Sequence, residues 1–143
     1  MPIEYFVDHE RKLVLAKGRG TITDQDVFGY QREVWSRPDL AGYSEFIDMG
    51  EVERIVLPST ERVWDLALLS ADMDPQDRAS KFAIVAPEGL LFGLGRMYET
   101  YRSLQVRSTK QVGVFRSAEE AFAFLGIEAD PRDGSCQGKG GPS

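Results

Sequence analysis

The sequence predicts a single α/β domain: a mixed β-sheet of about five strands with about four helices, in the order β-β-α-β-α-β-α-β-α. Three observations predict it. Two short apolar runs at the N-terminus flank the charged connection Asp8-His9-Glu10-Arg11-Lys12, as in a β-hairpin. Two further segments begin with firm helix-start chemistry. The stretch Ser80 to Leu125 reads strand, helix, strand, helix, and a helix joining neighbouring strands lets them run parallel.

Taken in order, Ile3 to Val7 and Leu13 to Lys17 form the hairpin, the second strand extending through Gly18 and Gly20 to Ile22. Glycines inside a strand mark a bulge or a close backbone approach. Thr23 is a good N-cap with Asp24 and Asp26 in the first turn, and Pro38 stops the helix, which spans Asp24 to about Arg37. Tyr43 to Met49 is rich in β-formers and reads as a third strand closed by Gly50, with Asp48 near its carboxyl end. Glu51 to Leu57 fits either a further short strand or a loop packed by its own apolar residues. Pro58-Ser59-Thr60-Glu61-Arg62 starts the next helix with Ser59 as cap, and Val63, Leu66, Ala67 and Ser70 make its inner stripe.

Lys81 to Ala86 is apolar on both faces and reads as the middle strand of the sheet. A long helix follows Pro87 to about Val106, with Leu90, Leu94, Met97, Tyr101 and Leu104 on one stripe. Gly93 and Gly95 inside it each cost about 1 kcal/mol relative to alanine, a cost expected where something packs against the helix backbone. Val112 to Phe115 is the last strand. Ser117 caps a final helix that ends at Gly126. The domain therefore covers residues 1–127, and 128–143, rich in Gly, Pro, Ser and charge, reads as a flexible tail.

Composition excludes several functions. The chain has 143 residues, 42% hydrophobic and 28% charged, and 17 basic against 23 acidic residues give a net charge of −6. That balance argues against nucleic acid as a partner. No apolar run approaches the ~20 residues needed to span a bilayer, and the N-terminus lacks a signal-peptide pattern, so the expectation is a cytoplasmic protein. Cys136 is the single cysteine and lies in the tail, leaving no intramolecular disulfide and no cysteine cluster for zinc. His9 is the single histidine and falls in the hairpin turn, where a solvated residue is the favoured reading over a general base. No cofactor, metal site or catalytic set is predicted, and the expectation is a protein that is not an enzyme.

The order of elements, with Tyr43-Ser44-Glu45-Phe46-Ile47-Asp48 and Ala83-Ile84-Val85-Ala86-Pro87 as third and fourth strands, resembles the STAS domains, in particular the SpoIIAA-like proteins of bacteria. Gly93-Leu94-Gly95-Arg96-Met97-Tyr98, Val114-Phe115-Arg116-Ser117 and the alanine-bearing last helix carry the rest of the likeness, which covers about residues 3 to 127. The resemblance implies a small mixed sheet with helices largely on one side and a non-catalytic regulatory role exercised through partners or ligands. Anti-sigma antagonists of this kind carry a phosphorylatable serine in an Asp-Ser-Ser-Gly type motif after the third strand. That motif is absent here; Ser59 is the nearest candidate, at a helix start where a phosphate is favoured.

Several residues stand out as candidates. Asp48, with Glu51 and Glu53, lies where α/β folds commonly place ligands, although a solvated acidic loop is the simpler reading. Arg96, Arg102 and Arg107 fit an anion site or a partner-facing patch, but their spacing favours a solvated helix. Phe92, Tyr98 and Trp64 fall off their helices' core stripes, and surplus aromatics of this kind point equally to core packing or to an interface or apolar pocket. The expectation is a regulatory or protein-interaction module, homodimeric through its helical face. The alternative is a binding protein for a small apolar or amphiphilic, lipid-like ligand held between sheet and helices and oriented by Arg96.

Overall fold

In the computed structural model, residues 2–87 and 89–132 are described. Cys136 and the rest of the expected tail beyond Arg132 lie outside them. Five strands form one sheet in sequential order: β1 (Ile3–Asp8), β2 (Leu13–Thr23), β3 (Ser44–Val56), β4 (Ser80–Val85) and β5 (Lys110–Phe115). β1 pairs antiparallel with β2 and every later pairing is parallel. The connections carry helices α1 (Asp24–Trp35), α2 (Glu61–Met73) and α3 (Gly89–Ser103), and α4 (Ala118–Leu125) follows β5. This is the mixed α/β sheet the sequence predicts.

Some boundaries move for identifiable reasons. β3 does not end at Gly50: residues 51–56 continue the strand against the long extension of β2, with register shifts beside Gly18 and Gly20. Gly20 takes a positive φ of 64° at one of these irregularities, a conformation glycine adopts without a steric penalty. α1 ends at Trp35, and Pro38 opens a separate 3₁₀ turn, Pro38–Leu40. Thr60, not Ser59, precedes α2; its backbone is already helical and its side chain makes no capping hydrogen bond. The middle strand of the sheet is β3; β4 is interior but one place from the β5 edge. β4 is nonetheless apolar on both sides because α3 and α4 lie on opposite faces.

Alternation along the strands divides the core in two. Val14, Ala16, Ile47, Phe82, Ile84 and Val112 face α1, α2 and α3. Leu13, Leu15, Phe46, Ala83 and Val85 face Ala121 and Phe122 of α4. Phe46 and Phe122 stack with centroids 4.4 Å apart. Ser117 caps α4 by accepting from the Glu120 N–H, and Gly126 ends it in the left-handed conformation.

The long helix meets the sheet one position out of phase with its apolar stripe. Gly95, Tyr98 and Arg102 are its buried residues, while Leu90 is 68% exposed. The contact point explains the shift: a Cβ on Gly95 would lie 3.1 Å from Val114 Cγ1 and 3.3 Å from Val114 Cγ2. The helix backbone comes nearest the sheet where the side chain is absent, so the apolar pattern misplaces its inner face. Gly93 shows no such constraint and has open space around it.

Candidate functional site

Between the sheet and α1, α2 and α3 lies a cavity of about 120 Å³. Its floor is strand surface: Ile47 and Met49 of β3 and Phe82 and Ile84 of β4. Its walls are helical, with Phe28 and Tyr30 from α1, Val63 and Leu66 from α2, and Leu94, Gly95 and Tyr98 from α3. Gly95 contributes backbone alone, letting the helix approach without filling the space. Among the described residues, three carboxyl or guanidinium groups line the cavity: Asp24, Glu45 and Arg62. Arg62 Nε donates to Asp24 at 2.8 Å and Nη1 to Asp65 at 3.2 Å, and its guanidinium lies 4.1 Å over the Phe28 ring.

Beneath this apolar space runs a chain of buried polar groups. Glu45, on the same strand face as Ile47, is only 2% exposed. It accepts from the Tyr30 hydroxyl at 2.8 Å and from Lys110 Nζ at 3.1 Å. Lys110, itself 8% exposed, stands 3.1 Å over the Trp35 ring. A second buried pair adjoins: Arg102, 2% exposed, donates from Nη2 to Asp74 at 2.5 Å, from Nη1 to the Tyr98 oxygen at 2.6 Å and from Nε to Ser108 at 3.0 Å. Asp74 also accepts the backbone N–H groups of Thr109 and Lys110 at 2.9 and 3.2 Å. Each ion is thus paired and hydrogen-bonded, the condition under which buried charge is tolerated. Burial pushes the Lys110 ammonium below its ordinary range. It pushes the Tyr98 phenol up, and it pushes Tyr30 well up with help from the adjacent Glu45 charge.

The residues singled out by sequence do not converge. Tyr98 lines the cavity and packs edge-on to Phe82 at 6.0 Å. Trp64 points outward instead, 37% exposed, with its ring edge-on to Tyr101 at 5.0 Å. Phe92 is half-buried beneath the Arg116 guanidinium, 4.2 Å from its centroid. Arg96 is exposed and paired with Glu99 at 3.3 Å. It does not line the cavity, so it cannot orient a ligand there; Arg62 holds the charged position at that site. Arg102 is not part of a solvated helix face but the buried anchor described above. Ser59 is exposed and its carbonyl accepts the Arg62 N–H at 3.2 Å.

Asp48 projects to the opposite face of the sheet. Because β3 runs on to Val56, Asp48 is not at the strand's end but at the last rung shared with β4, opposite Val85. It accepts from Gly50 N–H at 2.8 Å and from Arg132 Nη1 at 2.6 Å. Arg132 also pairs with Asp130 at 2.8 Å and lies 4.9 Å over Phe46, so the first residues beyond 127 fold back onto the domain. Glu51 is bound separately to Lys17 at 2.5 Å. The three acids do not gather, and among the described residues no cluster of three metal-ligating side chains occurs. His9 stays in the hairpin turn, its Nδ1 2.8 Å from the Tyr43 hydroxyl.

Sequence reasoning missed Glu45, Lys110 and Asp74. Glu45 and Lys110 carried a signal: each keeps a charged residue in phase with apolar neighbours on one strand face, Glu45 with Ile47 and Lys110 with Val112 and Val114. Asp74 did not, because it follows the end of α2 and its partners come from segments about thirty residues away.

No family model matches the chain, and no curated protein matches it. Among solved structures, it is similar to an uncharacterized protein of the DUF3478 family with a SpoIIAA-like fold from Shewanella loihica PV-4. That match has a TM-score of 0.56 at 17% identity and covers 86% of this chain and 93% of the other. No described helix is long and apolar enough to cross a membrane. With its sequential five-stranded mixed sheet and four helices, the chain has the SpoIIAA-like fold.

Proposed function

We propose that this SpoIIAA-like domain is a non-enzymatic binding module that takes a small apolar ligand between its sheet and helices α1–α3. The observation that carries the reading is the cavity of about 120 Å³ bounded by Ile47, Ile84, Leu66 and Leu94. Largely apolar concavities with a few convergent polar groups are the usual sites of small-molecule binding. A non-catalytic role is supported by the way the buried ions are committed: Glu45 to Lys110 and Asp74 to Arg102, each at hydrogen-bond distance. The test is thermal unfolding with and without saturating benzene, in the native protein and in Leu94→Trp, whose larger side chain fills the cavity. A rise in midpoint for the native protein that the variant loses supports the reading. No rise in either contradicts it.

A second reading, a homodimeric interaction module, is favoured by a different surface. Trp64 and Leu68 lie one turn apart on α2, 37% and 40% exposed, and Leu104, 65% exposed, lies three residues beyond Tyr101, the residue Trp64 touches. An apolar patch on the outer helical face suits a protein partner, including a second copy. Light scattering over a concentration series distinguishes the cases: a mass that doubles, and that Trp64→Glu returns to the monomer value, supports the dimer. A monomer throughout removes it.

A further inference from the structure

Resting on the cavity as a binding site, we infer that its ligand is an uncharged molecule the size of a single aromatic ring, with room for one hydroxyl donor, and not an anionic amphiphile or a long acyl chain. Size is the first ground. Drug-sized ligands occupy pockets of roughly 300–1,000 Å³, whereas an apolar cavity of about 150 Å³ accommodates benzene. At about 120 Å³ this cavity belongs with the latter. An extended acyl chain exceeds this volume and would leave most of its length outside the cavity.

Charge is the second ground. Two carboxylates and one guanidinium line the space, and that guanidinium is bound to Asp24 and Asp65 and stacked on Phe28. An anionic ligand would therefore meet Glu45 with no free cation among the described lining residues to offset it, and burying such an ion unpaired is strongly unfavourable. A neutral ligand meets no such cost. Glu45 even retains acceptor capacity: each carboxylate oxygen takes one donor, Tyr30 on Oε2 and Lys110 on Oε1, where two lone pairs are available per oxygen. A phenolic hydroxyl that reaches Glu45 thus has a lone pair to donate to.

The lining chemistry is the third ground. Phe28, Tyr30, Phe82 and Tyr98 surround the cavity. Rings in offset or edge-to-face contact gain about 0.5–1.5 kcal/mol beyond area burial, which favours an aromatic occupant over an aliphatic one of equal volume.

The experiment is a methyl-detected NMR titration of the whole chain, following Ile47, Ile84 and Leu94, with benzene, phenol, benzoate and laurate as probes at neutral pH. Benzene and phenol are expected to shift these methyls saturably. Benzoate is expected to bind at least about tenfold more weakly than phenol, a difference of roughly 1.4 kcal/mol, and laurate to leave the methyls unmoved. Benzoate or laurate binding as tightly as phenol would overturn the inferred ligand class while leaving the cavity a binding site. Silence from all four probes would overturn the binding reading itself.

Discussion

On one face of the sheet, α1, α2 and α3 leave a cavity lined in part by Glu45, and the buried ions Lys110, Arg102 and Asp74 lie on the same side. On the other face, the eight-residue α4 presses Phe122 flat against Phe46, and Arg132 reaches across both rings to Asp48. The second arrangement is what burial alone produces: apolar rings at contact distance with a cation over their faces. The first retains four charged groups in the interior, where well-packed apolar residues of similar volume are often as stable or more so. The difference teaches that the two faces are held by different means, one by stacked rings and the other by paired charges whose net contribution to stability is small beside that of apolar packing.

The sharpest way to break this comparison is to separate the buried pair. Glu45→Ala leaves the Lys110 ammonium without its carboxylate and is expected to cost about 3–5 kcal/mol of unfolding free energy by denaturant titration. The double replacement Glu45→Met with Lys110→Met is expected to recover most of that loss. A single variant as stable as the native chain would show that the ion pair carries no such weight. Phe122→Ala on the opposite face is expected to cost about 3 kcal/mol, toward the low end for a phenylalanine, since a short terminal helix can settle into the space. It should leave benzene binding unchanged; altered binding would mean that the two faces are not independent.

Alkaline titration sharpens the same contrast. Tyr30 and Tyr98 hold their phenol protons in the folded state to higher pH than in the unfolded chain. Above the ordinary tyrosine value of about 10, the folded state therefore binds more protons, and stability falls as pH rises. Lys110 acts in the reverse sense: its folded value is lowered, so the unfolded chain binds more protons in the window below the ordinary lysine value of about 10.4. Stability gains from that site as pH climbs through this window. The unfolding free energy is expected to turn downward above about pH 10, with a shallower fall in Tyr30→Phe. An identical slope in the variant would contradict the assignment. The smallest effect belongs to Arg132→Ala, a partly exposed pair with Asp48, for which a loss of no more than about 1 kcal/mol is expected by the same denaturant assay.

Much of this architecture was legible in the chain. The hairpin, the Thr23 N-cap and the Ser117 cap all follow from local chemistry that the fold preserves, and the structure adds Asp26 as the reciprocal partner of Thr23. What stayed hidden depends on partners distant in sequence. The phase of α3 is set by Val114 pressing on Gly95, a contact no period within the helix encodes. The extension of β3 past Gly50 exists because β2 is long enough to pair with it. The candidate site was half-legible: Tyr98 was singled out as an aromatic off the expected stripe, and it proves to lie on the true one. Arg96 was chosen for its charge and faces solvent beside Glu99. Glu45 is not among the residues the sequence singles out, because its partners Tyr30 and Lys110 lie fifteen and sixty-five residues away.

The cavity is the claim on which the functional account stands, and xenon reports on it most directly. Crystals pressurised with xenon are expected to show a bound atom between Ile47, Ile84 and Leu94, lost in Leu94→Trp. Side chains closed over that position, with no xenon site against the sheet, would contradict it.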